Sequence, residues 1–306
     1  MFKHILIPLD GSTLAEVVLP GANYLARVLG AHVTLIHIIE QGASTSIHGE
    51  RHLTEAKEAD RYLAEIAHRT FPADIPVSRH VHPEAMESVA RGIVDHQAEL
   101  VPDLILMCTH GRGGLRELLF GRIAQQVVAS GRTPVLLIRP QEPRLQGPFV
   151  CRTLLAPTDG KPTHESGLNL AFGLARSTGA HVRLLAVVPT VDKLAGRQAA
   201  SGRLMPGTTR AVLQIAEEEL AIYLRGQAGR GEALGVAVSA SVRRGDPATV
   251  IAETAASTDA DIIVLGTHGK AGAEAFWAHS VPAKVLGKTT RPLLLVPVTS
   301  APREGR

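Results

Sequence analysis

Two stretches hold the residues best suited to chemistry. Residues 103–122 read DLILMCTHGRGGLRELLFGR, and residues 261–280 read DIIVLGTHGKAGAEAFWAHS. Each is an apolar run that breaks at Thr-His-Gly into a glycine-containing loop and then approaches a helical pattern. A loop of this kind leaves backbone N–H groups unpaired at a helix N-terminus, where a phosphate can be held. Asp10 and Asp159, each followed by glycine, end two further apolar runs, HILIPLDG and LLAPTDG. A carboxylate there can meet a ribose hydroxyl or a base. Each feature also has a local explanation. Gly111 and Gly269 suit any tight strand-to-helix loop, and Asp10 and Asp159 suit turns or caps. His110 and His268 have the chemistry of acid–base groups beside a phosphate, against which stands plain packing over the loop.

Other candidates are weaker. His80 and His82 share one strand face and form half of a metal site; no third ligand is evident, so no metal is expected. Gly287-Lys288-Thr289 imitates the end of a P-loop, but Pro282 stands where that motif needs glycine and the segment falls late in a helical pattern. Cys108 and Cys151 are far apart, without metal spacing. Cys108 beside the loop is a candidate oxidant sensor, with nothing in the sequence to lower its pKa.

The elements that must position these residues occur twice. FKHILIPLDG (2–11) matches CRTLLAPTDG (151–160), and GAHVTLIHII (30–39) matches GAHVRLLAVV (179–188), both at an offset of 149. The Thr-His-Gly loops and the runs TPVLLIRP (133–140) and RPLLLVPV (291–298) match at an offset of 158. This is a duplicated domain, predicted over 1–140 and 151–300 with a linker at 141–150. In the first half the strands are expected at 4–9, 32–39, 77–82, 103–108 and 134–138, with helices near 13–29, 50–70, 84–99 and 121–131. Thr13-x-x-Glu16 reads as a capping box opening the first helix. The second half repeats the strands near 152–157, 181–188, 236–243, 261–265 and 293–297. Strands 1, 2 and 4 are nearly continuous apolar runs, as a parallel sheet covered on both faces requires. The fold class is α/β: two tandem doubly wound domains, each an open five-stranded parallel sheet with helices on both faces. Ligands bind such sheets at the carboxyl ends of the strands, where the strand order reverses. Asp10, Asp159 and the Thr-His-Gly loops all fall there.

Composition narrows the function. The 306 residues are 45% hydrophobic, which supports real cores. Aromatics are 3%, low for a protein that stacks on bases, and the net charge of +3 comes without a Lys/Arg block. Neither nucleic acid nor membrane is an expected partner. The N-terminus lacks a signal-peptide core, no run approaches the ~20 apolar residues of a membrane span, and the low cysteine count fits a reducing cytosol. A cytoplasmic location is expected.

On these residues the chain resembles a tandem member of the universal stress protein family. The resemblance covers nearly the whole chain and implies strand order 3-2-1-4-5. It also implies a site for ATP or another adenine nucleotide, with or without magnesium, built from Gly-x2-Gly-x9-Gly-(Ser/Thr) after strand 4 and an Asp after strand 1. Carried onto this sequence, the first site comprises Pro8, Leu9 and Asp10, Ile38, Met107, His110 and Gly111, then Gly121, Arg122, Ile123 and Ala124. The second comprises Pro157, Thr158 and Asp159, Val187, Leu265 and Gly266, His268 and Gly269, then Ser280 and Val281. Both depart from the motif. Cys108 replaces the first glycine and Arg122 the terminal Ser/Thr in one copy; His279 replaces the third glycine in the other, and Pro282 removes an N–H. The first half is therefore expected to be the better phosphate site, with Arg122 adding charge. The implied role is stress-response binding and assembly rather than turnover, with no catalytic residue assigned. An intramolecular pseudo-dimer of the halves is expected, and a homodimer is compatible with it. The alternatives are a nucleotide-free interaction module with degenerate pockets, or a slow ATPase.

Overall fold

A computed structural model describes residues 1–42, 46–47, 50–51, 53–109, 121–129, 133–140, 148–194, 200, 204–267 and 280–298. Of the sequence-derived candidates, His110, Gly111, His268 and Gly269 lie outside the described residues, as does His279. The chain packs as two compact units. Unit 1 is formed by Met1–Val150 together with Pro292–Pro297, and unit 2 by Cys151–Thr267 with 280–291 and Val298.

In unit 1 the chain runs through β1 (His4–Pro8), helix α1 (Leu19–Leu29), β2 (His32–Glu40) and a small antiparallel ladder of β3 (Ser46–Ile47) and β4 (Glu50–Arg51). It continues through α2 (Ala56–Thr70), β5 (Val77–Met86), α3 (Val89–Leu100), β6 (Leu104–Cys108), α4 (Arg122–Ala129) and β7 (Val135–Ile138). The sheet order is β5-β2-β1-β6-β7, with every pairing parallel. Every residue of β6 and β7 is buried, which explains why these strands read as unbroken apolar runs. Helices pack as two pairs, α1 with α2 and α3 with α4. α1 stops at Gly30, whose φ of 59° is left-handed and open to glycine at little cost.

Unit 2 runs through β8 (Thr153–Thr158), α5 (Glu165–Thr178), β9 (His181–Val188), α6 (Pro206–Ala233), β10 (Val238–Arg244), α7 (Pro247–Ser257), β11 (Ile262–Thr267) and α8 (Val281–Leu286). Its sheet order is β10-β9-β8-β11, again parallel. The last strand, β12 (Leu293–Pro297), groups with unit 1, where it lies antiparallel to β7 with Leu294 opposite Leu136. One repeated carboxylate fixes the start of the central strand in each unit. Asp103 Oδ2 accepts from the backbone N–H of Lys3 and His4 at 2.6 and 3.0 Å. Asp261 Oδ2 does the same for Arg152 and Thr153 at 2.8 and 2.9 Å.

Several boundaries differ from the sequence reading. α2 starts at Ala56 rather than near 50, because the chain first forms the β3–β4 ladder and then buries Leu53. α3 starts at Val89 rather than near 84, because β5 extends to Met86 and the Ser88 hydroxyl caps the helix by accepting from Arg91 N. The helix expected from residue 13 begins as a 3-10 turn at Ala15–Val18 and becomes α1 only at Leu19; Ser12 Oγ accepts from Ala15 N at 3.1 Å, and the Glu16 carboxylate serves Tyr62 and Arg69.

Candidate functional site

In unit 1, β1 lies between β2 and β6, so the strand order reverses at β1. The pairing of Leu6 with Ile105 sets the ends of β1 and β6 side by side at the carboxyl edge. Pro8 closes β1 opposite Ile36, and Leu9 is buried with its N–H donated to Ile36 O at 2.9 Å. Asp10 follows, half-buried. Its Oδ1 accepts from Ser12 N at 2.9 Å and from Ser12 Oγ at 2.6 Å, so the carboxylate also serves a local turn. Gly11 makes that turn possible. Its φ is 90°, and a Cβ there would stand 2.8 Å from the Leu53 side chain. Ile38 of β2 and Met107 of β6 are buried. Gly121 is the residue from which α4 springs, its carbonyl accepting from Gln125 N at 3.0 Å. Arg122 and Ile123 are exposed on the first turn, and Ala124 turns into the core.

Unit 2 repeats the arrangement around β8, which lies between β9 and β11. Pro157 and Thr158 close β8, and Thr158 Oγ1 accepts from Gly160 N at 3.2 Å. Here the carboxylate is occupied. Asp159 Oδ1 meets His164 Nδ1 at 2.6 Å and accepts from Lys161 N at 3.1 Å, while Oδ2 faces Lys161 Nζ at 2.9 Å. Partial burial opposes ionisation of Asp159, but the bonds from Lys161 and His164 outweigh it and hold its pKa below the usual carboxylate value. Val187 is half-buried in β9, and Leu265 is buried in β11. At Gly266 an added Cβ would sit 3.2 Å from Val298 and 3.8 Å from His164. Close packing thus accounts for this glycine. Ser280 caps α8, its Oγ accepting from Ala283 N at 3.3 Å, and Val281 is exposed.

Several residues around these edges escaped the sequence reading. Both ring nitrogens of buried His37 reach carbonyl oxygens, Leu9 O at 2.7 Å and Leu53 O at 3.1 Å, which ties the end of β1 to the approach of α2. The only sequence signal was a histidine inside an apolar strand. Glu16 takes a hydrogen bond from Tyr62 Oη at 3.1 Å and pairs with Arg69. Glu165 repeats this with Tyr223 Oη at 3.3 Å and Arg230 Nη1 at 3.5 Å. In each unit the arginine lies seven residues after the tyrosine, a signal available in the repeat. Burial and then the glutamate charge push both phenols upward, so they remain neutral donors.

Other sequence candidates fall out on inspection. Residues 287–289 follow the end of α8, and the Thr289 Oγ1 accepts from Arg291 N at 3.1 Å, so the P-loop imitation is a helix terminus. Both cysteines are buried, and burial followed by the Asp261 charge pushes the Cys151 thiol up to about 12. For His80 and His82 the fold supplies the third imidazole the sequence reading did not locate, His96 of α3. Among the described residues no helix is long and apolar enough to cross a membrane.

Comparison with known proteins agrees with this architecture. The pattern of the Universal stress protein family matches residues 1–139 and 151–297. A universal stress protein of Methanocaldococcus jannaschii is 29% identical over 148 residues, 45% of this chain and 83% of that protein. One from Mycolicibacterium smegmatis is 24% identical over 305 residues, covering 95% of this chain and 96% of its own. The crystal structure of a universal stress protein from Archaeoglobus fulgidus covers 96% of both chains with a TM-score of 0.68 at 17% identity, a likeness of fold. With the family pattern present in each half, the chain belongs to the universal stress protein family, as a tandem member.

Proposed function

We propose that unit 1 binds an adenine nucleotide, ATP among them, at the carboxyl edge of β1 and β6, in a stress-response role that works through binding and assembly rather than turnover. The observation that supports this reading is the half-buried Asp10 carboxylate just past the carboxyl end of β1, where the strand order reverses, with the buried apolar residues Leu9, Ile38 and Met107 on the neighbouring strand ends. That donor set fits a nucleoside: apolar surface for the base and one carboxylate for hydroxyls or amines. Arg122, exposed on the first turn of α4, supplies charge for phosphate. The loop bearing His110 and Gly111 enters from the sequence motif alone. Magnesium accompanying the nucleotide would be held chiefly by its phosphates. Assembly partners in this reading are the two halves themselves and a second copy of the chain.

Mass spectrometry of the denatured, purified protein should show co-purifying adenine nucleotide. Titration separates the contacts. Asp10→Ala is expected to weaken ATP and adenosine alike. Arg122→Ala is expected to weaken ATP about tenfold, by loss of a charge-assisted contact, less at high salt, and to spare adenosine. Absence of binding at millimolar ATP would sink the reading. For unit 2 a second reading is favoured: Asp159 is already satisfied by Lys161 and His164, so this half serves as an interaction module with a degenerate pocket.

A further inference from the structure

We propose that unit 1 carries a divalent transition-metal site of the zinc class, formed by His80, His82 and His96. One ring nitrogen from each of the three lies within 4.8 Å of the others, and they are the one such group of three among the described residues. His80 and His82 alternate along β5 and so project from one face. α3 covers that face, packing on β2 and β5. It comes close because Gly92 lacks a side chain: a Cβ there would stand 2.7 Å from Met86 Sδ and 3.0 Å from Ile38. His96 is one turn further along the same helix face, which delivers its ring onto the two strand imidazoles. The ring centroids of His80 and His96 are 4.3 Å apart and those of His82 and His96 are 5.0 Å apart.

The hydrogen bonds prepare the donors. Glu99 accepts from His96 Nδ1 at 2.9 Å, so the protonated nitrogen of His96 faces the carboxylate and the lone pair at Nε2 faces the cluster. A carboxylate behind a ligating imidazole fixes its tautomer and raises its basicity. His96 Nε2 stands 3.0 Å from His82 Nδ1. His80 Nε2 is buried without a hydrogen-bond partner among the described residues, a polar atom removed from water with nothing returned. A metal ion would take the lone pairs of all three. Tetrahedral zinc with bonds of about 2.0–2.1 Å needs the nitrogens about 3.3–3.4 Å apart, a modest closure of the cluster. Three imidazoles leave a fourth position for water or another ligand. An all-imidazole donor set selects zinc, copper, nickel or cobalt over magnesium and calcium.

The scaffold does not demand histidine at these places. In the strand register His80 and His82 correspond to Ser241 and Arg243 of β10, and His96 corresponds to Thr254 of α7. There Arg243 Nη1 simply donates to Thr254 Oγ1 at 2.9 Å. The same fold closes the same seam without three imidazoles.

The test uses the full chain after treatment with a chelator. Titration with Co2+ should give the visible spectrum of a four-coordinate nitrogen site at one equivalent per chain, displaced by Zn2+ and unaffected by Mg2+. Competition against a chromophoric chelator should show Zn2+ affinity falling at least a hundredfold in His96→Gln and about tenfold or more in the positioning variant Glu99→Gln. The pair His4→Gln and His32→Gln, whose rings stack 4.7 Å apart elsewhere in unit 1, should leave the affinity unchanged. If the histidine variants misfold, ring nitrogen NMR of the wild-type protein decides the matter: His80, His82 and His96 signals must shift on adding Zn2+. Zinc affinity that survives loss of all three histidines, or ring signals that stay put in the wild type, would overturn the site.

Discussion

Unit 1 and unit 2 share a fold but solve the end of the central strand differently. In unit 2 His164 stands beside β11 and reaches Asp159, and Gly266 leaves room for it. In unit 1 the matching residues are Ala15, which is buried, and Cys108, also buried. Small beside large is exchanged for large beside small. Cys108, a departure from the family motif when read in sequence, is therefore half of a compensating pair. Asp159 is drawn into bonds with His164 and Lys161, whereas Asp10 lacks a histidine at the matching position and turns to Ser12. The two copies thus differ in which groups hold the strand-end carboxylate, Ser12 in unit 1 and Lys161 with His164 in unit 2.

The largest expected effect tests what the units share. Gly11 and Gly160 have φ of 90° and 77°, and an added Cβ would meet Leu53 at 2.8 Å or Leu220 at 2.7 Å. Gly11→Ala and Gly160→Ala should each cost about 2 kcal/mol or more, from a left-handed backbone and from overpacking together. Chemical denaturation monitored by circular dichroism measures this. If one variant is tolerated and the other is not, the two turns are not equivalent supports.

A smaller effect tests the compensating pair. Gly266→Cys brings the unit 1 residue into the unit 2 setting, where Val298 and His164 already occupy the space. Overpacking of this kind costs about 1–3 kcal/mol. Adding His164→Ala, the other half of the unit 1 arrangement, should recover part of the loss. Non-additivity of at least about 0.5 kcal/mol in the double-mutant cycle is the expected signature. Additive costs would mean that Gly266 answers to Val298 alone.

The repeat made most of the fold legible. Apolar runs at matching offsets marked the strands, and the alternation with helical patterns marked a parallel α/β class. Local signals failed where a distant partner intervened. The predicted helix start near residue 50 missed the short ladder and the inward turn of Leu53, which packs beside Gly11, more than forty residues earlier. The local reading of Glu16 as a cap residue could not show its distant partners, Tyr62 and Arg69. Of the site, Asp10 and Asp159 were findable from sequence as strand-end carboxylates, but their different partners were not, since these depend on side-chain volume at Ala15 and His164. His96 stayed hidden for a similar reason. Helix periodicity places it on the buried face of α3, but only the close approach at Gly92 tells which strand residues it meets.

The smallest expected effect concerns Asp159 itself. Its pKa is held below the ordinary carboxylate value by Lys161 and His164, against the opposing pull of burial. A carboxylate whose folded pKa is depressed contributes stability that is fully present above the unfolded value of about 3.9. That contribution fades as pH falls from there through the folded pKa. Because the Asp159 side chain is 40% exposed, solvent screening keeps it below about 1 kcal/mol. Asp159→Asn should therefore be slightly less stable than the wild type at pH 6–7, and the gap should close as the pH drops below about 4. Urea denaturation of both proteins across that range measures the gap. Asp10→Asn in the same experiment sharpens the contrast. Its gap should widen when saturating ATP binds the wild type more tightly than the variant. A gap at Asp159 that persists unchanged at pH 3 would show that the asparagine is disturbing packing and that the carboxylate charge is not what His164 and Lys161 hold.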